Sequence, residues 1–206
     1  MKSANIDSSL LDKAILFAVK CHANTERRGK GYPYIIHPLE AAEIVATITP
    51  DQELLAAAIL HDTIEDTDAT IEQIREQFGD RVANLVDDES EKREPNCDKV
   101  ASWRSRKEAS INHLKQASRD SKIVALGDKL SNMRAIAHDY EELGDKLWDR
   151  FHAPNGKADH EWHYRGLAEA LAELSDTHAY KEFVNYVNQV FGKKGWAATL
   201  INMDEP

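Results

Sequence analysis

The chain has 206 residues, 42 % hydrophobic and 30 % charged, enough for one domain with a sizeable core. Acidic residues outnumber basic ones by 36 to 26, and the formal net charge of −10 argues against binding a nucleic-acid polymer or an anionic membrane surface. No apolar run reaches the length of a membrane span, no signal-peptide pattern opens the chain, and two cysteines, Cys21 and Cys97, imply no disulfide framework, so a reducing cytosol is the natural compartment.

Ser9 is placed to cap a first helix running to about His22, with Leu10, Leu11, Ala14, Ile15, Ala18 and Val19 as its buried stripe. Two glycines and a proline make the next segment, Asn24 to Tyr34, a loop. Arg27, Arg28 and Lys30 concentrate positive charge there. Ordinary surface charge is one reading. A phosphate clamp is the other, because Arg presents a planar fork matched to phosphate oxygens. His37 precedes Pro38, which suits the first position of a helix, so His37 is expected at the N-cap. Pro50 then opens a helix whose Leu54, Leu55, Ala58 and Ile59 recur at helical spacing, which puts His61 and Asp62 in its last turn.

The segment His61 to Asp68 places one imidazole and four carboxylates in eight residues. Acidic groups at a helix C-terminus meet partial negative charge from the backbone, and a cation would remove that penalty. Thr70 and Gln73 form a capping-box pattern, and Gly79 is a suitable stop. A further short helix is expected around Val82, Leu85 and Val86. Residues Asp87 to Asp98 are highly charged and contain Pro95, the pattern of an exposed, mobile connection. From Val100 a helix carries Trp103, Ile111 and Leu114 on one side and Arg104, Arg106 and Lys107 among its polar residues.

Between Ser121 and Arg134 apolar residues surround most of the helix, which is expected to be central and buried. Asp128 within it faces a desolvation cost of several kcal/mol unless it is paired with an Arg or bound to metal. Asn132 lies one turn further on the same side. Pro154-Asn155-Gly156 is a turn, after which Glu161 to Arg165 leads into a helix through Leu174, and a last helix runs from about His178 to Phe191. No alternating strand pattern occurs, so an all-α fold of roughly ten helices is expected. Residues 1–192 would form the domain and 193–206 a tail tied down by Trp196.

Two imidazoles and two carboxylates, His37, His61, Asp62 and Asp128, suit a borderline-to-hard divalent ion such as Mn²⁺, with Zn²⁺ or Fe²⁺ as alternatives. Glu65 and Asp66 stand one turn beyond, placed to orient or deprotonate a water. Spacing alone does not join His37 to Asp128.

The combined motifs do join them. Arg27-Arg28, Tyr32 to Pro38, His61 to Asp68, Phe78-Gly79, Arg106-Lys107 and Gly127 to Arg134 resemble, in order, the hydrolase domain of RelA/SpoT-type alarmone enzymes. That domain is a branch of the HD metallophosphohydrolase superfamily. The stand-alone small alarmone hydrolases are the closest type, and the resemblance runs from about Leu10 to Phe191. It implies an all-helical HD fold and one Mn²⁺ held by His37, His61, Asp62 and Asp128, with Glu65 and Asp66 as the catalytic pair. It also implies that Arg27, Arg28, Lys107, Asn132 and Tyr164 contact a small nucleotide substrate. The implied reaction is hydrolysis of the 3′-pyrophosphate of ppGpp or pppGpp to GDP or GTP. The chain departs from the family at Arg28, usually Lys, and Gly127, usually Ala. Its length leaves no room for synthetase and regulatory domains, so hydrolysis alone is expected. Two readings compete: a phosphohydrolase of another nucleotide, such as ppApp or a 5′-nucleotide, and a catalytically silent alarmone sensor.

Overall fold

A computed structural model describes residues 7–91, 98 and 100–192. Among them all regular elements are helices, with one isolated bridge between Glu26 and Pro33. In chain order they are α1 (Ser9–Cys21), α2 (Ile36–Ala46), α3 (Gln52–Leu60), α4 (Thr63–Asp66), α5 (Ile71–Phe78), α6 (Asp80–Glu89), α7 (Trp103–Gln116), α8 (Arg119–Leu143), α9 (Lys157–Ala170) and α10 (His178–Phe191). Short 3-10 helices follow α8 and α9, at Gly144–Arg150 and Ala172–Leu174. The all-α expectation is met.

The chain divides into two compact units. The first takes in residues up to Ser90 together with Ile123–Asp128 of α8. Its centre is α3, where every residue from Leu54 to Leu60 is buried. A helix apolar all round has no face to give to water and must be enclosed; α1, α2 and α6 enclose it. Asp51 starts α3 by accepting from the Glu53 amide at 2.9 Å. Thr70 and Gln73 make the expected capping box at the head of α5. Gly79, at φ +90°, lets α5 turn directly into α6, a conformation open to few residues with a Cβ.

The second unit comprises Glu91–Lys122 and the described residues from Lys129 on. Here α9 packs on α7 and α10. A Cβ on Gly166 would come within 2.7 Å of Ile111 Cδ1, so the absence of a side chain sets how closely α9 meets α7. Aromatic rings fill the interior. Trp148 stacks on His160 and Phe191, with centroids 5.1 and 5.5 Å away, and Trp103 meets His160 edge-on. Arg104 lies 3.6 Å over Trp162 and bonds the buried Asp159 at 3.0 Å.

Several boundaries differ from expectation, and Val19, expected in the buried stripe of α1, is exposed because it lies off the face that carries Ala14 and Ala18. Ser8, not Ser9, precedes α1, and its hydroxyl bonds the Asp12 carboxylate instead of capping the backbone. His37 is the second residue of α2, because Ile35 already holds helical dihedrals before the proline. Asp87 to Glu89 are helical, carried by the apolar face of Val82, Leu85 and Val86. The rest of that charged segment, and the Trp196 tail, lie largely or wholly outside the described residues. The helix expected from Val100 begins at Trp103, and α9 starts at Lys157, immediately after the Pro154-Asn155-Gly156 turn.

His160 gives the second unit a pH dependence. Burial, reinforced by the charge of Lys107 and opposed by Asp159, lowers its pKa to about 4 from an ordinary 6.5. The unfolded chain therefore binds the additional proton between these values. Stability from the neutral ring is complete above about pH 6.5 and is lost towards pH 4, about 3 kcal/mol in all. Urea midpoints at pH 7 and 4.5 should fall less in His160→Leu than in the parent.

Candidate metal centre

Three elements of the first unit bring the site together. Helix α2 carries His37 near its start, the α3–α4 junction carries His61 and Asp62, and α8 carries Asp128. His61 is the C-cap of α3, and Asp62 opens α4. This corrects the expectation that both sit in the last turn of one helix. Asp62 thus starts a helical turn, where a carboxylate is electrostatically favoured over a C-terminal position.

The reactive atoms converge. His37 Nε2 lies 3.1 Å from Asp128 Oδ1 and 3.4 Å from Asp62 Oδ2. His61 Nε2 lies 3.0 Å from Asp62 Oδ2 and 3.5 Å from Asp128 Oδ1. Ligand atoms of His37, His61 and Asp128 all fall within 4.8 Å of one another, and all three residues are buried. Asp128 therefore faces both imidazoles.

The donor set fits a divalent ion. His61 Nδ1 is 2.8 Å from the carbonyl of Ala58, which selects the tautomer whose Nε2 carries the lone pair. That Nε2 is buried and faces Asp62 Oδ2 at 3.0 Å and Asp128 Oδ1 at 3.5 Å. Burial opposes charge on His61, but the carboxylates of Asp62 and Asp128 outweigh it and hold the ring protonated well above the ordinary histidine range. Burial likewise works against the Asp62 carboxylate, yet His61 and His37 keep its pKa well below the usual value. A cation at this point takes over the role of that proton.

Gly127 makes the convergence sterically attainable. A Cβ there would stand 2.7 Å from the Ala41 carbonyl oxygen and 2.8 Å from Val45 Cγ2. The bare backbone of α8 thus closes on α2, and the next residue, Asp128, reaches His37.

Other anticipated residues fall in several places. Glu65 and Asp66 lie on α4, immediately after the cluster, half-buried and exposed respectively. Arg27 is half-buried in a tight loop closed by bonds from the Arg27 amide to the Tyr32 carbonyl and from the Tyr34 amide to the Thr25 carbonyl; Arg28 is exposed. Lys107, Asn132 and Tyr164 belong to the second unit. Lys107 pairs with Glu91 at 2.7 Å, and Arg106 bonds the same carboxylate. Asn132 is half-buried on α8, one turn after Asp128, while Tyr164 is buried against Phe183 and Phe191.

Two residues near the cluster had no role assigned from sequence. The Tyr34 hydroxyl donates to Asp62 Oδ2 at 2.5 Å. His22, buried at the end of α1, packs its ring on Tyr34 with centroids 4.8 Å apart. Tyr34 could have been noticed as an aromatic three residues before a candidate ligand; nothing in the sequence singles out His22.

A family model described as an HD domain matches residues 14–153. The chain belongs to the HD-domain family. This HD-domain chain is 38 % identical over 134 residues to a guanosine-3′,5′-bis(diphosphate) 3′-pyrophosphohydrolase of Xenopus tropicalis, covering 63 % of the chain and 71 % of that relative. It is 35 % identical over 142 residues to the enzyme of the same name from Aquifex aeolicus, and 40 % over 115 residues to that of Haemophilus influenzae. These matches take in 66 % and 53 % of the chain but only 19 % and 16 % of those longer relatives. Among solved structures, a metazoan orthologue of SpoT described as hydrolysing ppGpp superposes with a TM-score of 0.70 at 22 % identity, covering 93 % of this chain and 99 % of that one. A Listeria monocytogenes protein superposes with a TM-score of 0.65 at 28 % identity, covering 76 % and 99 %. The HD fold is shared with both. No helix among the described residues is long and apolar enough to cross a membrane.

Two outcomes follow for the HD site. Since His61 holds a proton that an ion must displace, apparent divalent-metal affinity should rise with pH, by about tenfold per unit for one proton released. Calorimetric titrations in buffers of different ionisation enthalpy measure that proton directly. Gly127→Ala should lower stability by about 1–3 kcal/mol through overpacking against backbone and weaken metal binding; urea unfolding and metal titration check both.

Proposed function

We propose that this protein hydrolyses the 3′-pyrophosphate of ppGpp and pppGpp, giving GDP or GTP and pyrophosphate, with one bound divalent ion, Mn²⁺ or another metal of similar preference. The observation that carries the reading is the buried His37–His61–Asp128 cluster with Asp62 beside it, in a chain that spans most of a relative named for this reaction.

In this reading His37, His61, Asp62 and Asp128 hold the ion. Once bound, a divalent cation supplies positive charge to a phosphoryl oxygen and lowers the pKa of a water. Glu65 and Asp66 stand on the helical turn that Asp62 opens, so the same short element aims ligand and acid–base groups. They orient the attacking water and take its proton. The water oxygen bonds to the phosphorus attached to the ribose 3′-oxygen, and the bond to that oxygen breaks. Pyrophosphate leaves, and the 3′-oxygen gains a proton.

Arg27 and Arg28 bind phosphate oxygens, offsetting the repulsion that a chain of net charge −10 would exert on a polyanion. For Lys107, Asn132 and Tyr164, nucleotide contacts rest on the motif resemblance alone. A cytosolic setting fits the free thiol of Cys21.

Product analysis tests this. Mn²⁺-loaded protein is incubated with ppGpp, ppApp and a 5′-nucleotide, with Asp62→Ala alongside. Pyrophosphate release from ppGpp should fall at least a thousandfold in the variant. Faster cleavage of ppApp would reassign the base, cleavage of the 5′-nucleotide alone would reassign the reaction, and binding of ppGpp without turnover in metal-loaded protein would leave a sensor.

A further inference from the structure

Tyr34 touches Asp62, His37 and Arg27, yet its chemistry is neither that of a ligand of choice nor that of a phosphate clamp. Its backbone is pinned on both sides. The Tyr34 amide donates to the Thr25 carbonyl at 2.8 Å, and its own carbonyl accepts from the His37 amide at 3.0 Å. The side chain is therefore delivered from a fixed point beside the first turn of α2. Its ring lies against three groups: His22 at 4.8 Å, His37 edge-on at 5.8 Å, and the Arg27 guanidinium at 5.3 Å. The hydroxyl ends at Asp62 Oδ2, the oxygen that also faces His61 Nε2 at 3.0 Å.

A carboxylate oxygen accepts, so the phenol hydroxyl 2.5 Å from it is the donor. An aspartate has a broad terminal torsion, and its two oxygens can exchange places unless something distinguishes them. The Asp62 carboxylate makes no capping bond to α4. The Tyr34 hydroxyl supplies the distinction by marking one oxygen and filling one of its lone-pair directions. His22, with neither ring nitrogen hydrogen-bonded, backs the phenol ring and limits its movement.

We propose that Tyr34 is a positioning residue that fixes the Asp62 carboxylate for the metal through its hydroxyl and seats Arg27 for phosphate through its ring. One side chain thus couples the ligand set to the cationic loop. The inference rests on the metal-dependent reading above, and the experiment separates the two.

Tyr34→Phe removes the hydroxyl and keeps the ring; Tyr34→Leu removes both. Mn²⁺ is titrated calorimetrically into metal-free protein without substrate, so ion affinity is read apart from turnover. Tyr34→Phe should bind Mn²⁺ 10- to 100-fold more weakly, the scale on which outer partners of metal ligands act. At saturating Mn²⁺ its KM for ppGpp should stay within about twofold, whereas Tyr34→Leu should raise KM at least fivefold through Arg27. In an Asp62→Ala background the hydroxyl has nothing to orient, so adding Tyr34→Phe should leave the residual Mn²⁺ affinity unchanged. Circular dichroism and the urea midpoint of each metal-free variant report folding, and the double-variant comparison still decides if Tyr34→Phe lowers stability. Equal Mn²⁺ affinity for the parent and Tyr34→Phe would overturn the role of Tyr34 alone. An equal loss in the Asp62→Ala background would make the effect structural and also overturn it. A parent that binds no divalent ion would overturn the metal reading and this inference together.

Discussion

Carboxylates and imidazoles share an interior in the first unit where neither is comfortable alone. A buried carboxylate without a partner costs several kcal/mol, and so does a buried imidazolium. The structure resolves this by mutual pairing: Asp62 and Asp128 each approach both His37 and His61. This arrangement imposes the architecture around it. The apolar α3 anchors one histidine at its end, α2 presents the other, and α8 passes close enough to bring in Asp128. The pairing answers the buried charges while it aims both imidazole Nε2 atoms at carboxylate oxygens. That combination is what a site for an exchangeable cation requires.

Much of this was legible in the sequence because it depends on local periodicity. The apolar run of α3, the capping box of α5 and the fully apolar centre of α8 declare themselves residue by residue. The isolation of Asp128 in such a helix already demanded a partner. What could not be read was which partner, since His37 and Asp128 are brought together only by tertiary packing. The resemblance of the ordered motifs supplied that link. The placement of Asp62 differs from expectation for a related reason: the apolar spacing of α3 runs up to His61–Asp62 and suggests that they close the helix, but α3 ends at Leu60 and Asp62 starts α4. Tyr34 lies within a recognisable motif but carries no role legible there, because the target of its hydroxyl lies across the fold.

The second unit is organised differently. Its interior relies on stacked rings, with His160 placed among Trp103, Trp148 and Phe151 as a nearly isosteric aromatic. Its buried charges are answered locally, Asp159 by Arg104 and Asn155, and Glu91 by Lys107 and Arg106. The same residue type therefore does opposite work in the two units: His61 is held charged by carboxylates, His160 neutral by burial.

The missing side chain at Gly127 has a consequence for ion size. Helix separation there is limited by contact between backbone and the Ala41 carbonyl, and the very next residue contributes an oxygen to the cluster. The spacing of the two backbones thus bounds how the Asp128 carboxylate can approach His37, whatever rotamers the two side chains take. A residue that never meets the cation thereby limits the room its ligands have to adjust to ions of different radius.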